Sequence, residues 1–461
     1  MGLEDDIRIV ADRIRDAESV TVISHIDADG ITSEAVMMQA ARSQGIPAQS
    51  VFVRQLEPMT MKYVPEDDSL KVFVDLGAGQ QDLMDERGLE VEEVAIIDHH
   101  VPQNTDTPYI QANAQQHGLG YFSAAGMAYL VAREMDAGNP SLGMLAKLAV
   151  IGNVGDMMAR EHCGLVGPAR SIAEDGVTFG TVEIRARELN CYGISTRPVK
   201  VCLSYSDDPF IPGISNNEKK AEEFLEKIGI RQRTPSGSWR VWEEYSVEEK
   251  GIVMNALVEQ MLATGEDPSR LFGEHYIFPE ETPGTPLRNA SEYATMLNAC
   301  GRWAEPRIGS AICLGDRGPM LQDGERMLRH HRTIIREMME YILDTGTTIL
   351  SHTQFIHTGD RFPDTIVGIG AGMALSKLDW EKPIMVLSYL HDDPDLVKVS
   401  MRTNERMVQR GVDLQAALTL ASEEVGGGGG GHKIAAGAYI PTSAEKEFAH
   451  RVNRIIAGQF T

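Results

Sequence analysis

Val94-Ala-Ile-Ile-Asp98-His99-His100 is an apolar run of strand length that stops at one acid and two imidazoles. Buried parallel strands read this way, and their carboxyl ends are where open α/β sheets place their chemistry. Three more stretches share the pattern. Val20-Thr-Val-Ile-Ser-His25 runs into Asp27-Ala-Asp29-Gly30, Lys71-Val-Phe-Val ends at Asp75, and Ala149-Val-Ile-Gly-Asn-Val-Gly155 delivers Asp156. A lone Asp at a strand end is more often a helix cap or turn former. Four strand ends that repeat Asp and His, the ligand types of hard divalent cations, point instead to a metal centre.

Around these stretches the pattern alternates. A helix over 4–17, a loop at 25–30 and a helix over 32–43 surround the first strand. Strands near 50–53 and 71–75, a helix near 80–87 and a helical stretch over 120–152 follow. Strands separated by helices predict an α/β fold with a doubly wound parallel sheet over residues 1–198. Residues 199–322 carry Pro/Gly breakers, Pro209-Phe-Ile-Pro-Gly213 and Thr282-Pro-Gly-Thr-Pro286, around charged helical segments with Trp239 and Trp242. They read as an inserted, mostly helical subdomain. A connecting helix over 323–344 places Arg326, Arg329, Arg332 and Arg336 on one broad face. Residues 345–461 predict a mixed α/β domain in which Gly426 opens a run of six glycines ending at His432.

Composition sets bounds. The 461 residues suffice for two or three domains, and no apolar run approaches the ~20 residues that span a bilayer. The acidic start is unlike a signal peptide, and five cysteines without a CxxC argue against a disulfide framework or zinc ribbon. A cytoplasmic protein without membrane contact is expected. The net charge of −24 looks wrong for a nucleic-acid binder, yet it is uneven: residues 401–461 hold seven Lys/Arg against six Asp/Glu.

The loop at 25–30 is short enough for His25, Asp27 and Asp29 to converge, with Gly30 permitting a tight turn into the helix. Carboxylates with a few imidazoles suit Mn2+, with Mg2+ the alternative, and the full set is large enough for two ions. Two ions about 3.5–4 Å apart can activate water and stabilise the leaving oxygen of a phosphoester. Glycines before His432 let backbone N–H groups approach a phosphate, although glycine runs are usually flexible linkers.

Together, His25-Ile-Asp27-Ala-Asp29-Gly30, Asp75, Asp98-His99-His100, Asp156 and the glycine run with His432-Lys-Ile-Ala-Ala-Gly437 resemble the DHH phosphoesterase superfamily. Within it the chain is most similar to the archaeal RecJ-like nucleases, which carry a comparable insertion. Family II pyrophosphatases share the fold but open with a longer His-to-Asp spacing than His25-Ile-Asp27. The resemblance implies that His25, Asp27 and Asp75 hold one ion and that Asp29, Asp75, His99 and Asp156 hold the other, with Asp75 bridging. It implies that His100 contacts the scissile phosphate and that Asp98 orients a ligand. Gly429, Gly430, Gly431, His432 and Lys433 would grip substrate phosphates, and Arg402 would help bind the nucleotide. The expected activity is a Mn2+-dependent phosphodiesterase, an exonuclease acting on single-stranded DNA or RNA. One alternative is a phosphodiesterase for oligonucleotides of about two to five units or for (cyclic) dinucleotides. Another is a replication-complex scaffold with residual activity. The insertion is expected to offer a docking surface for a replication or repair protein.

Overall fold

Val94–Asp98 is the fourth strand of a five-stranded parallel sheet in a computed structural model that describes residues 2–460 apart from Thr105, Ser376, His391 and Asp392. The strands are β1 (Val20–Ser24), β2 (Ala48–Phe52), β3 (Leu70–Val74), β4 (Val94–Asp98) and β5 (Ile110–Asn113), in the order β2-β1-β3-β4-β5. Both faces of this sheet are covered, which is why every residue of β1, β3 and β4 is buried, Thr21, Ser24 and Lys71 included. Val22, Val72, Val74, Ala95 and Ile97 enter one core, while Ile23, Phe73, Val94 and Ile96 enter another. Alternate residues of each strand thus feed opposite layers.

Helices α1 (Leu3–Arg15), α2 (Ala28–Ser43), α3 (Gln81–Arg87), α4 (Ala124–Met135) and α5 (Leu142–Gly155) supply the layers. Two sequence expectations change here. Helix α2 begins at Ala28 rather than at 32, because Asp27 caps it by accepting a hydrogen bond from Gly30 N. Residues 149–155 close α5 rather than forming a strand, so Asp156 is a helix C-cap. Residues 149–155 are apolar or glycine except Asn153, and over so short a buried run periodicity cannot separate a helix from a strand.

Helix α6 (Gly167–Thr178) leads to an antiparallel ribbon of β6 (Glu183–Leu189) and β7 (Phe272–Ile277). Between its strands, α7 (Val199–Ser204), α8 (Glu218–Lys227) and α9 (Val247–Ala263) close a separate core around Leu203, Trp242 and Leu257. Helices α10 (Ala290–Arg302) and α11 (Pro306–Cys313), which the sequence placed in the insertion, pack into the first core through Tyr293, Leu297 and Ile312. Their apolar spacing does not say which core they join. Of the two tryptophans singled out in the sequence, Trp242 is fully buried, and the ring of Trp239 has Lys200 Nζ at 3.9 Å and the Arg233 guanidinium carbon at 3.7 Å from its centroid.

Residues 1–328 and 329–461 form two compact units, and the boundary falls inside α12 (Pro319–Thr345). The second unit contains β8 (Thr348–Ile349), β9 (Gln354–His357), α13 (Asp364–Leu375), β10 (Ile384–Tyr389), β11 (Leu396–Arg402), α14 (Glu405–Gln409) and α15 (Leu414–Glu423). It closes with β12 (Gly428–Gly431), β13 (Ala435–Pro441) and α16 (Glu445–Gln459). Its mixed sheet runs β12-β13-β11-β10-β9-β8. The glycine run is therefore not a free loop but an edge strand paired with β13. Among the described residues, no helix is long and apolar enough to cross a membrane.

Candidate metal centre

With the strand order β2-β1-β3, the chain reverses direction across the sheet between β1 and β3. The carboxyl ends of two strands at such a switch point open a crevice. His25 and Asp27 follow β1, and Asp75 follows β3. Asp75 takes a positive φ of 59°, a conformation side chains rarely adopt, while its N–H still donates to Ile97 O at 3.0 Å. The turn leaves its carboxylate between two histidines. Asp75 Oδ2 lies 3.2 Å from His25 Nδ1, and Asp75 Oδ1 lies 3.4 Å from His99 Nε2.

Each remaining side chain is held by a nearby element. Asp29, in the first turn of α2, accepts from Ala124 N at 2.8 Å and Ala125 N at 3.0 Å, at the N-terminus of α4. Asp98 is fully buried and takes Ala78 N, His99 N and the ring of His100, the last at 2.8 Å from Nδ1. Asp156 Oδ2 reaches within 3.3 Å of His99 Nε2, and Asp29 Oδ2 within 3.8 Å. Gly30 is required by packing rather than by φ, since a Cβ there would stand 2.4 Å from His25 O. Three clusters result: His25, Asp27 and Asp75; Asp29, His99 and Asp156; and Asp75, Asp98, His99 and His100. Within each, one ligand atom per residue lies within 4.8 Å of the others.

So many buried acids perturb one another. Burial and the charge of Asp75 raise the Asp29 carboxyl well above its usual range. Burial pushes Asp156 up to about 7, with His99 opposing and Asp75 and Asp27 adding to the rise. Burial disfavours the His99 imidazolium, yet its bond to Asp75 and the charges of Asp29 and Asp156 hold it at about 10. Burial works against the His25 imidazolium as well, but Asp27 and Asp75 keep it well above the usual range. His100 is raised chiefly by its hydrogen bond to Asp98. Carboxylates crowded enough to retain protons fit a divalent cation, which would take the place of those protons.

All eight of these sequence-selected residues meet in one cluster. Sequence reasoning missed Asn113, at the end of the unexpected strand β5, whose Nδ2 donates to His100 O at 3.0 Å. The run Ile110-Gln-Ala-Asn113 carries the same strand-end signal, but it is short and only half apolar. The substrate-binding candidates lie apart in sequence, in the second unit. Arg402 ends β11, Gly429 to Gly431 belong to β12, and His432 turns into β13, its N–H donating to Ala435 O at 2.8 Å. Lys433 follows in the same turn and is exposed.

Three family models match successive parts of the chain: the DHH family N-terminal domain over residues 19–153, the DHH-CID domain over 191–271 and the DHHA1 domain over 352–458. The chain belongs to the DHH family. An uncharacterized protein of Methanocaldococcus jannaschii is 26% identical over 451 residues, covering 95% of this DHH chain and 94% of its own length. Among solved structures, RecJ from Thermus thermophilus in complex with Mn2+ is similar at a TM-score of 0.61 and 17% identity. That match covers 99% of this chain and 55% of the RecJ, so the DHH chain spans about half that protein's length. CDC45 from Entamoeba histolytica is similar at a TM-score of 0.66 and 11% identity, covering 99% and 98% of the two chains. At these identities the structural likeness shows the fold alone.

Proposed function

We propose that this DHH chain is a Mn2+-dependent phosphodiesterase that degrades single-stranded nucleic acid as an exonuclease. One observation carries the proposal: the two oxygens of Asp75 face different histidines, 3.2 Å from His25 and 3.4 Å from His99, so a single carboxylate belongs to two donor sets. His25, Asp27 and Asp75 would hold one ion, and Asp29, Asp75, His99 and Asp156 the other. Imidazole nitrogens among the donors favour Mn2+ over Mg2+. Bound there, the ions supply an acidified water and Lewis-acid stabilisation of charge on the phosphoryl oxygens.

The chain's own side chains do the positioning. Asp98 holds His100 through Nδ1, which leaves Nε2 of this exposed ring to donate to an oxygen of the scissile phosphate. Arg402, Gly429, Gly430, Gly431, His432 and Lys433 are proposed to bind the phosphates of the strand. The fold likeness to CDC45 favours a second reading, a replication scaffold, but such a role makes no demand for a complete donor set. Protein stripped with chelator is expected to lose phosphodiesterase activity and to regain it best with Mn2+. Asp75→Ala is expected to fall below about one-hundredth of the wild-type rate, beyond the loss typical of residues outside the ligand set. Turnover near the wild-type rate in that variant contradicts the proposal.

A further inference from the structure

Helix α10 follows the insertion in the chain, yet it touches the loop that carries His25 and Asp27 at two points. Asn298 Oδ1 accepts from Ala28 N at 3.0 Å. A Cβ at Gly301 would overlap the carbonyl oxygen of Ile26. Asn298 and Gly301 are three residues apart, so both stand on the face of α10 turned to the loop.

The first contact answers a need created by α2. The first N–H groups of a helix have no partner within it. The cap of α2 is Asp27, whose carboxylate has two calls on it: Oδ1 takes Gly30 N at 3.0 Å, while Oδ2 lies 3.2 Å from His25 Nδ1. Ala28 is 1% exposed, so its N–H cannot turn to water. Asn298 supplies the acceptor from outside, and Oδ2 of Asp27 stays with the donor set.

The second contact fixes how closely the helix approaches. Ile26 separates the two proposed ligands, and a side chain on Gly301 would displace its carbonyl. Helix α10 is itself anchored. Its fully buried Glu292 accepts from Ser195 N at 2.9 Å and from Thr196 Oγ1, and Tyr293 and Leu297 pack in the first core. Asp29, in the other donor set, is held separately by the first N–H groups of α4.

We propose that Asn298 and Gly301 are positioning residues for one metal site: they hold His25-Ile26-Asp27 in its ligating conformation and leave the set of Asp29, His99 and Asp156 alone. This rests on the two-ion reading of the cluster.

The test is calorimetric titration of the metal-stripped full chain with Mn2+, paired with thermal melts of the stripped protein. Two binding steps are expected for the wild type. Asn298→Leu keeps a side chain of similar size without the acceptor, at a half-buried position where replacement spares the core. It is expected to weaken one step about 10- to 100-fold, the usual worth of a residue that orients a ligand, and to leave the other within about threefold. Asn298→Asp keeps an acceptor oxygen and is expected to restore most of that affinity. Gly301→Ala is expected to weaken the same step; should it fail to fold, the Asn298 pair decides. Asn298→Leu with both steps unchanged and only a lower melting temperature, equal weakening of both steps, or Asn298→Asp as weak as Asn298→Leu overturns the proposal. A wild-type chain that binds no Mn2+ overturns the two-ion reading itself, and this proposal with it.

Discussion

Asp75 sits one residue past the end of β3 with its backbone in the left-handed region, and this places its carboxylate between His25 and His99. The sequence disclosed this residue and its neighbours because acids and imidazoles that end buried apolar runs have few structural uses. It could not disclose Asn113, or the hold of α4's first N–H groups on Asp29, since those contacts join residues 13 and 95 or more apart along the chain. The proton inventory leads to a prediction. Without metal, Asp156 titrates at about 7 and His99 at about 10, so both retain protons at and below neutral pH. A cation must displace those protons. Mn2+ affinity is therefore expected to rise with pH between about 6 and 8, by up to about tenfold per unit for each proton released. Calorimetry in buffers of different ionisation heat reads that release directly; affinity constant over this range would show that these groups do not bind the ion.

At the scale of elements, β12 shows what a pattern of one residue type conceals. A Cβ at Gly427 would meet Tyr439 O at 2.2 Å, one at Gly429 would meet Leu418 O at 2.9 Å, and one at Gly431 would meet Ala435 O at 2.7 Å. Gly428 and Gly430 look into open space. Alternate glycines are thus explained by the packing of the strand on α15 and β13, and the phosphate proposal rests on the other face. Gly429→Ala is expected to lower stability by about 1–3 kcal/mol, the usual cost of overpacking. Gly430→Ala is expected to leave the melting temperature nearly unchanged, within about 0.5 kcal/mol, and to weaken single-strand affinity. Thermal melts paired with binding assays separate the two; equal effects on both properties would remove the distinction. The start of α2 and the end of α5 were illegible for a related reason. Asp27 and Gly30 look like loop residues until the helix they cap and pack is present, and a stretch as apolar as the end of α5 carries too little polar contrast to show a period.

For the whole molecule, alternating strands and helices disclosed the parallel sheet, and its strand order supplies the switch point where the carboxylate cluster lies. The extent of the insertion was less legible, because α10 and α11 return to the first core after a segment with a core of its own. The net charge of −24 was equally ambiguous, since acids of the cluster contribute to it without opposing a bound strand once cations are present. Substrate size belongs to this scale as well. On the proposed reading, Arg402, Lys433 and the arginines of α12 would together supply more cationic positions than a dinucleotide can occupy. Each further phosphate they neutralise adds to affinity through released counterions. The decisive measurement is kcat/KM with Mn2+ for single strands of two to about thirty nucleotides, as DNA and as RNA. Efficiency is expected to rise with length; a maximum at two to five nucleotides with long strands left intact would contradict the exonuclease and assign the site to short substrates.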